Sequence, residues 1–256
     1  MSVVSSSQCV DVFLACEDAI RRGKLIRRAS RDDKEFHFQN WFKERLKDTN
    51  ILFDAPGRNS YPDFTLVNST EGFELKGLAF PGRDADYDCN SQVPTGLHNG
   101  REIYYVFGRY PKEPDDDEYP VYDLVVVHGD FLNCTHNYVH ENKSIKGFGS
   151  YGDIMIRDRK MYVAPTPFAL TKGTAREITL ILPKDKTVDK RIKAVGDLTR
   201  IESEKLVVGY NFDLRTNELK PQFVTNPGAG RKHEFIAYRA KDSTGPNVEL
   251  NLKKGL

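Results

Sequence analysis

The sequence from Tyr61 to Phe80 reads YPDFTLVNSTEGFELKGLAF. Two runs within it, 63–67 and 72–80, have the composition of β-strands, and the polar segment 68–71 separates them. A connection this short and this rich in turn-forming residues predicts an antiparallel hairpin. The hairpin is the part of the chain from which the other elements can be placed.

This hairpin is expected to bring two acids and a lysine together. Alternation along the second strand places Glu74 and Lys76 on one face and Leu75 on the other. If the strands pair, Asp63 at the start of the first strand approaches Glu74. Two carboxylates about 4–6 Å apart repel each other unless a cation lies between them, and hard oxygen ligands suit Mg²⁺. With Lys76 available to hold or deprotonate a water, such a cluster is equipped for water attack on phosphorus.

The flanking segments predict helices before the hairpin and strands after it. Apolar residues follow a helical period from Gln8 to Arg22 and again from about Ser30 to Asp48. The second helix carries its apolar stripe on Phe38, Trp41, Phe42 and Leu46. After a short strand at 51–55 and the hairpin, the runs 102–110 and 122–128 are apolar enough to be strands buried on both faces.

The second half of the chain is poorer in helix signals. Segments 153–164, 177–182, 206–214 and 234–239 have strand-like composition, whereas 189–204 is expected to be a helix. No internal repeat or long linker divides the chain, so residues 1–256 are expected to form a single α+β domain. Its centre is expected to be a mixed β-sheet flanked by helices.

The pattern Pro62-Asp63 followed by Glu74-Leu75-Lys76 resembles the PD-(D/E)xK nuclease superfamily, the fold of most type II restriction endonucleases. The surrounding order of helix, strand, hairpin and strand extends the resemblance to about residues 32–133. This stretch would form the restriction-endonuclease-like core. Residues 134–256 would be a β-rich second half that elaborates DNA recognition and dimer contacts.

The resemblance implies roles for individual residues. Asp63, Glu74 and the backbone carbonyl of Leu75 would be the metal ligands, with one or two Mg²⁺ ions in each active site. Lys76 would orient the attacking water or stabilise charge. Together with a further acid, these residues would form the catalytic set.

Members of this superfamily often supply that further acid from the helix before the core sheet, where Glu35 and Glu44 are the candidates. With Phe38 set at zero and about 100° per residue, Glu35 lies at about 60° and Glu44 at about 240°. Glu35 therefore shares the core-facing side of the helix, where an unpaired carboxylate is costly unless it meets a metal or a donor. Glu44 faces solvent. We therefore expect Glu35 to belong to the catalytic set.

Side chains that could contact DNA lie in two polar segments. Amide, hydroxyl, imidazole and guanidinium groups can hydrogen-bond base edges or phosphates. Those of the loop after the second hairpin strand and of a basic loop near the C-terminus are Asn90, Gln92, Thr95, His98, Arg101, Arg231 and Lys232. A purely structural loop, closed by the turn at Asn99-Gly100, is the alternative for the first segment.

Composition limits the other possibilities. The chain has 256 residues, of which 39% are hydrophobic and 29% charged, and a formal net charge of +1. That charge does not indicate nucleic-acid binding, but residues 21–47 hold ten Lys or Arg against four acids, and this local excess permits a phosphate-binding side. No run approaches the roughly 18 apolar residues of a membrane span. The N-terminus lacks the features of a secretory signal. We therefore expect a cytoplasmic protein, and the resemblance to restriction endonucleases implies a prokaryotic one.

Taken together, the sequence and the resemblance predict a Mg²⁺-dependent type II restriction endonuclease from a restriction–modification system. Its substrate would be double-stranded DNA, hydrolysed at a specific site by a homodimer. No phosphate-binding loop motif is present, so no nucleotide cofactor is expected. The alternatives are a structure-selective or repair nuclease of the same fold and a non-catalytic DNA-binding protein with a nuclease-like core.

Overall fold

The computed structural model describes residues 7–28, 34–55, 57, 60–82, 85–89, 93–114, 116–133, 162–213 and 218–251. Over these residues the chain is a mixed α+β structure with one large sheet and few helices. The expected α+β class with a mixed central sheet is therefore confirmed. None of the helices in these ranges combines the length and the apolar character needed to cross a membrane.

The helices of the described residues are concentrated in the N-terminal part of the chain. They are α1 (Gln8–Arg21), α2 (Lys34–Asp48) and α3 (Pro167–Leu170), with a short 3-10 helix at Gly129–Phe131. The strands are β1 (Ile26–Arg27), β2 (Phe53–Asp54), β3 (Phe64–Leu66), β4 (Glu71–Phe80), β5 (Asp86–Cys89), β6 (Leu97–His98), β7 (Arg101–Pro111), β8 (Glu118–Tyr119), β9 (Asp123–His128), β10 (Tyr162–Pro165), β11 (Thr171–Lys172), β12 (Ile178–Pro183), β13 (Ile192–Ile201), β14 (Lys205–Asp213), β15 (Glu218–Thr225), β16 (Lys232–Ala240) and β17 (Glu249–Leu250).

The central sheet has the strand order β13-β16-β12-β9-β7-β4-β3-β2, and β6 also pairs with β7. The pairs β4–β7 and β9–β12 are parallel, and the other neighbours are antiparallel. The predicted hairpin is confirmed as the antiparallel pair β3–β4, in which Phe64 lies opposite Phe73. Strands from both halves of the chain share this sheet, so it extends beyond the expected core at 32–133.

Helix α2 packs on one face of the sheet through the predicted apolar stripe. Phe38, Trp41, Phe42 and Leu46 are all at most 4% exposed. Burial of a large apolar side chain contributes roughly 1.5–3 kcal/mol, so these four anchor the helix. The helix also lies close to β7, because a Cβ at Gly108 would be only 2.3 Å from the Phe38 ring.

The expected helix at 189–204 is wrong, because this segment contains strand β13. Its apolar residues recur every three positions, which is compatible with a helix. In the structure, Ile192 packs with the helices on one face of the sheet, and Val195 and Leu198 pack on the opposite face. A register shift between Ala194 and Gly196 places Val195 at a bulge. One extra residue in a strand breaks the two-residue alternation, so the spacing imitated a helix.

Candidate active site

The hairpin holds Asp63 against the backbone of β4. Pairing between β3 and β4 ends at Phe64 and Phe73, so Asp63 lies directly before the first paired residue. Its Oδ2 accepts the backbone N–H of Leu75 at 2.8 Å. Leu75 follows Glu74, so the two predicted acids flank one stretch of backbone. The structure thereby brings Asp63 to the Glu74-Leu75 segment, as the hairpin predicted.

A glycine permits this close approach. Pro62, which precedes Asp63, is buried, and a Cβ at Gly72 would lie 2.7 Å from its Cγ. Any larger residue at position 72 would push Pro62 away from β4. Gly72 therefore helps to set the distance between Asp63 and the strand that carries Glu74.

Glu74 and Lys76 lie on the same face of β4 and contact each other. Lys76 Nζ donates to Glu74 Oε1 at 2.6 Å. Leu75, between them, packs into the core with α1 and α2 on the other face, as alternation predicted. The side chains of Glu74 and Lys76 remain 12% and 24% exposed. The cluster is thus partly buried but open to solvent.

The charge of Lys76 is maintained by its acidic neighbours. Burial lowers the pKa of its ammonium group, but the adjacent carboxylate of Glu74, helped by Asp63, outweighs burial and holds the pKa above its ordinary value. Lys76 is therefore protonated at neutral pH and acts there as a hydrogen-bond donor.

Tyrosine side chains surround this face of the hairpin. The hydroxyls of Tyr61 and Tyr105 lie 2.8 Å apart, and Lys76 Nζ lies 5.9 Å from the ring centroid of Tyr87. Burial raises the pKa of all three phenols. They therefore stay protonated at neutral pH and can donate hydrogen bonds, but they do not act as bases.

A residue that the sequence analysis did not select completes the surroundings of Asp63. Gln39 on α2 donates from Nε2 to Asp63 Oδ1 at 3.0 Å. The helical positions carried a partial signal, because Gln39 lies four residues after Glu35 and on the same side of the helix. The family pattern, however, has an acid on this helix, and no motif marks an amide.

Of the two candidate acids on α2, the structure describes the side chain of Glu44 but not that of Glu35. Glu35 lies within α2, but its side chain is outside the described residues, and its catalytic role stays a prediction. Glu44 is exposed and accepts from Lys47 Nζ at 2.7 Å, which confirms that it faces solvent.

In the first polar segment, two of the residues predicted to contact DNA form hydrogen bonds within the protein. Asn90 and Gln92 are outside the described residues. Thr95 is 8% exposed, and its Oγ1 donates to the Leu97 carbonyl at 3.0 Å. Arg101 donates from Nη1 to the carbonyls of Leu66 and Ser69, both at 3.0 Å. The two bonds of Arg101 tie β7 to the end of β3 and to the hairpin turn, and a DNA contact by Thr95 or Arg101 stays a prediction.

Of the remaining candidates for DNA contact, His98 lies beside the hairpin, whereas Arg231 and Lys232 lie far from Asp63 and Glu74. His98 is half-buried and packs edge-on against Tyr61, with ring centroids 4.8 Å apart. Burial lowers the pKa of His98. Arg231 and Lys232 are exposed at the start of β16. Four strand spacings separate β16 from β4, or about 19 Å across the sheet. The structure therefore does not bring Arg231 and Lys232 to the Asp63–Glu74 cluster.

The donor set of the cluster fits Mg²⁺. Among the described residues, no three His, Cys, Asp or Glu side chains form a group that could hold a metal. Mg²⁺ in proteins is commonly held by one or two carboxylates and retains several waters. The carboxylates of Asp63 and Glu74 and the backbone carbonyl of Leu75 are oxygen ligands of this kind.

No protein-family model, curated protein or solved structure matches this chain.

Proposed function

We propose that the protein is a Mg²⁺-dependent endonuclease that hydrolyses phosphodiester bonds of double-stranded DNA at a specific site, in the manner of a type II restriction enzyme. The observation that carries this proposal is that Asp63 accepts the N–H of Leu75, the residue after Glu74, while Lys76 donates to Glu74 and both acids act electrostatically on Lys76. Two carboxylates beside a lysine at a solvent-accessible strand suit hydrolysis of a phosphodiester.

The chain supplies distinct groups for binding a metal and for positioning water. The carboxylates of Asp63 and Glu74 and the carbonyl of Leu75 would hold Mg²⁺. When bound, Mg²⁺ stabilises charge on the phosphoryl group and makes a bound water more acidic. Lys76 is protonated, so its role is to donate a hydrogen bond and to stabilise negative charge.

The arrangement of the surrounding elements supports a restriction-endonuclease-like core. Helix α2 packs beside the hairpin, and the parallel neighbour β7 extends the sheet from β4. A homodimer would provide one active site for each strand of a two-fold symmetric DNA site. The β-rich second half would then contribute DNA recognition and dimer contacts.

Incubation of the purified protein with plasmid DNA tests this function. We expect discrete fragments to form with Mg²⁺ and the plasmid to stay uncut when EDTA removes the metal. Structure-dependent nicks or a smear would instead indicate a repair or structure-selective nuclease, and retarded but uncut DNA a binding protein without activity. DNA that stays intact and unbound in every condition, over a panel of plasmids and phage genomes, would contradict the proposal.

A further inference from the structure

Gln39 makes a bond to the candidate site that the proposed roles leave unexplained. Its Nε2 donates to Asp63 Oδ1, while the Leu75 N–H donates to Oδ2 of the same carboxylate. Two donors on different oxygens fix both the position and the rotation of the Asp63 carboxyl plane. A carboxylate offers about four acceptor positions, so it can take several partners at once.

The chemistry of the donor suits a carboxylate that must still bind a cation. The amide of Gln39 is neutral, so it holds Asp63 without cancelling the negative charge of the carboxylate. A lysine or arginine at this position would compete with a cation for that charge. Metal-ligating carboxylates are characteristically oriented by hydrogen bonds of this type.

The helix that carries Gln39 is rigidly placed. Gln39 follows Phe38, which packs against Gly77 and Gly108 of the sheet, and precedes the buried pair Trp41 and Phe42. A side chain on so firmly anchored a turn can orient its partner at little further cost in conformational entropy. The position of Asp63 is therefore set from both the sheet and α2.

We infer that Gln39 is a positioning residue that orients Asp63 for cation binding and thereby sets the affinity of the site for a divalent cation. This inference rests on the proposed function, because it takes Asp63 as a metal ligand. It assigns the orientation of that ligand to a neutral residue on α2.

The test is a calorimetric titration of the full chain with Mn²⁺, without DNA. Gln39→Met keeps the length of the side chain and removes the donor, so it should weaken Mn²⁺ binding about 10-fold or more. Asn40→Leu removes an amide from the next, exposed position of the same helix and should bind Mn²⁺ like the wild type. Melting temperatures in EDTA establish that both variants are folded.

A second variant keeps the test decisive if Gln39→Met does not fold. Gln39→Glu places a second carboxylate 3.0 Å from Asp63 Oδ1 if the side chain keeps its position. The like charges should lower the melting temperature in EDTA, and Mn²⁺ should restore it by more than it raises that of the wild type. An equal loss with and without Mn²⁺ would overturn the inference.

The outcomes separate this inference from the proposed function. Unchanged Mn²⁺ affinity in Gln39→Met, with binding that Asp63→Ala abolishes, would overturn the role of Gln39 and leave the metal site standing. Wild-type protein that binds no Mn²⁺, or binds it equally after Asp63→Ala, would overturn the metal site and the inference together.

Discussion

Two ion pairs lie in the same sheet and differ in their burial and in the groups that surround them. Arg109 on β7 and Asp123 on β9 form a pair in which Arg109 Nε lies 2.8 and 3.1 Å from the two carboxylate oxygens. Their side chains are 6% and 0% exposed, against 24% for Lys76 and 12% for Glu74. Asp123 also accepts the backbone N–H of Arg176 at 2.6 Å.

The surroundings explain why only one pair is a candidate for chemistry. The Arg109 guanidinium lies between the rings of Phe80 and Phe168, 4.4 and 4.3 Å from their centroids, which closes it off from solvent. Glu74, by contrast, is beside a second acid, Asp63, at a surface that water reaches. Both pairs consist of charged residues within strands, so the sequence alone does not distinguish them. Solvent access and neighbouring side chains separate the structural ion pair from the candidate site.

The largest expected effect is on stability, at the buried pair. Asp123→Asn keeps the shape of the side chain but removes the carboxylate charge that faces the buried Arg109 guanidinium, which should cost about 3–5 kcal/mol. Urea denaturation measures this loss. Glu74→Gln should cost clearly less, because Lys76 can turn toward solvent, and equal losses at both pairs would remove the distinction between them.

The next effect is on the rate of cleavage, at Lys76. Lys76→Met keeps the apolar part of the side chain beside Tyr87 and removes the ammonium group. Loss of a positioned donor should lower the cleavage rate at least about 10²-fold, measured under single-turnover conditions with Mg²⁺.

Lys184→Met is the matched control for this substitution. Lys184 also pairs with a glutamate, Glu234 at 3.1 Å, but their side chains are 52% and 60% exposed. Its cleavage rate should equal that of the wild type. If both lysine variants cut equally well, Lys76 has no part in the reaction.

A smaller effect is expected at Glu35. Glu35→Gln should shift the Mg²⁺ dependence of cleavage to higher concentration, by about 10-fold, if this carboxylate reaches the metal cluster. Glu44→Gln on the solvent side of α2 should match the wild type, because its exposed bond to Lys47 is worth only about 0.3–0.5 kcal/mol. Sensitivity at Glu44 with none at Glu35 would contradict the choice of Glu35 as the further acid of the catalytic set.

The hairpin and α2 could be predicted because local patterns specify them. Phe38, Trp41, Phe42 and Leu46 follow the helical period, and a four-residue polar turn between two strand-like runs allows few alternatives to a hairpin. Alternation then placed Glu74 and Lys76 on one face. These features depend on neighbours in the sequence.

The rest of the fold depends on contacts between distant parts of the chain. A bulge at Val195 gave β13 the spacing of a helix, and only its pairing with β16 reveals the strand. Gln39 belongs to no motif, and its importance becomes visible once Asp63 is placed beside it. Likewise, the sequence alone could not show whether Arg101 contacts DNA or, as in the structure, donates to two carbonyls of the hairpin.

The claim that the Asp63–Glu74–Lys76 cluster performs chemistry is tested most directly by separating cleavage from binding in one variant. For Asp63→Ala, plasmid cleavage is measured with Mg²⁺ and DNA binding with Ca²⁺, which occupies oxygen sites but catalyses such reactions poorly. Cleavage should be abolished, while DNA binding measured with Ca²⁺ stays close to that of the wild type, because phosphate contacts summed over the whole interface contribute most of the affinity. Cleavage by Asp63→Ala at a rate near that of the wild type would contradict the assignment of this site.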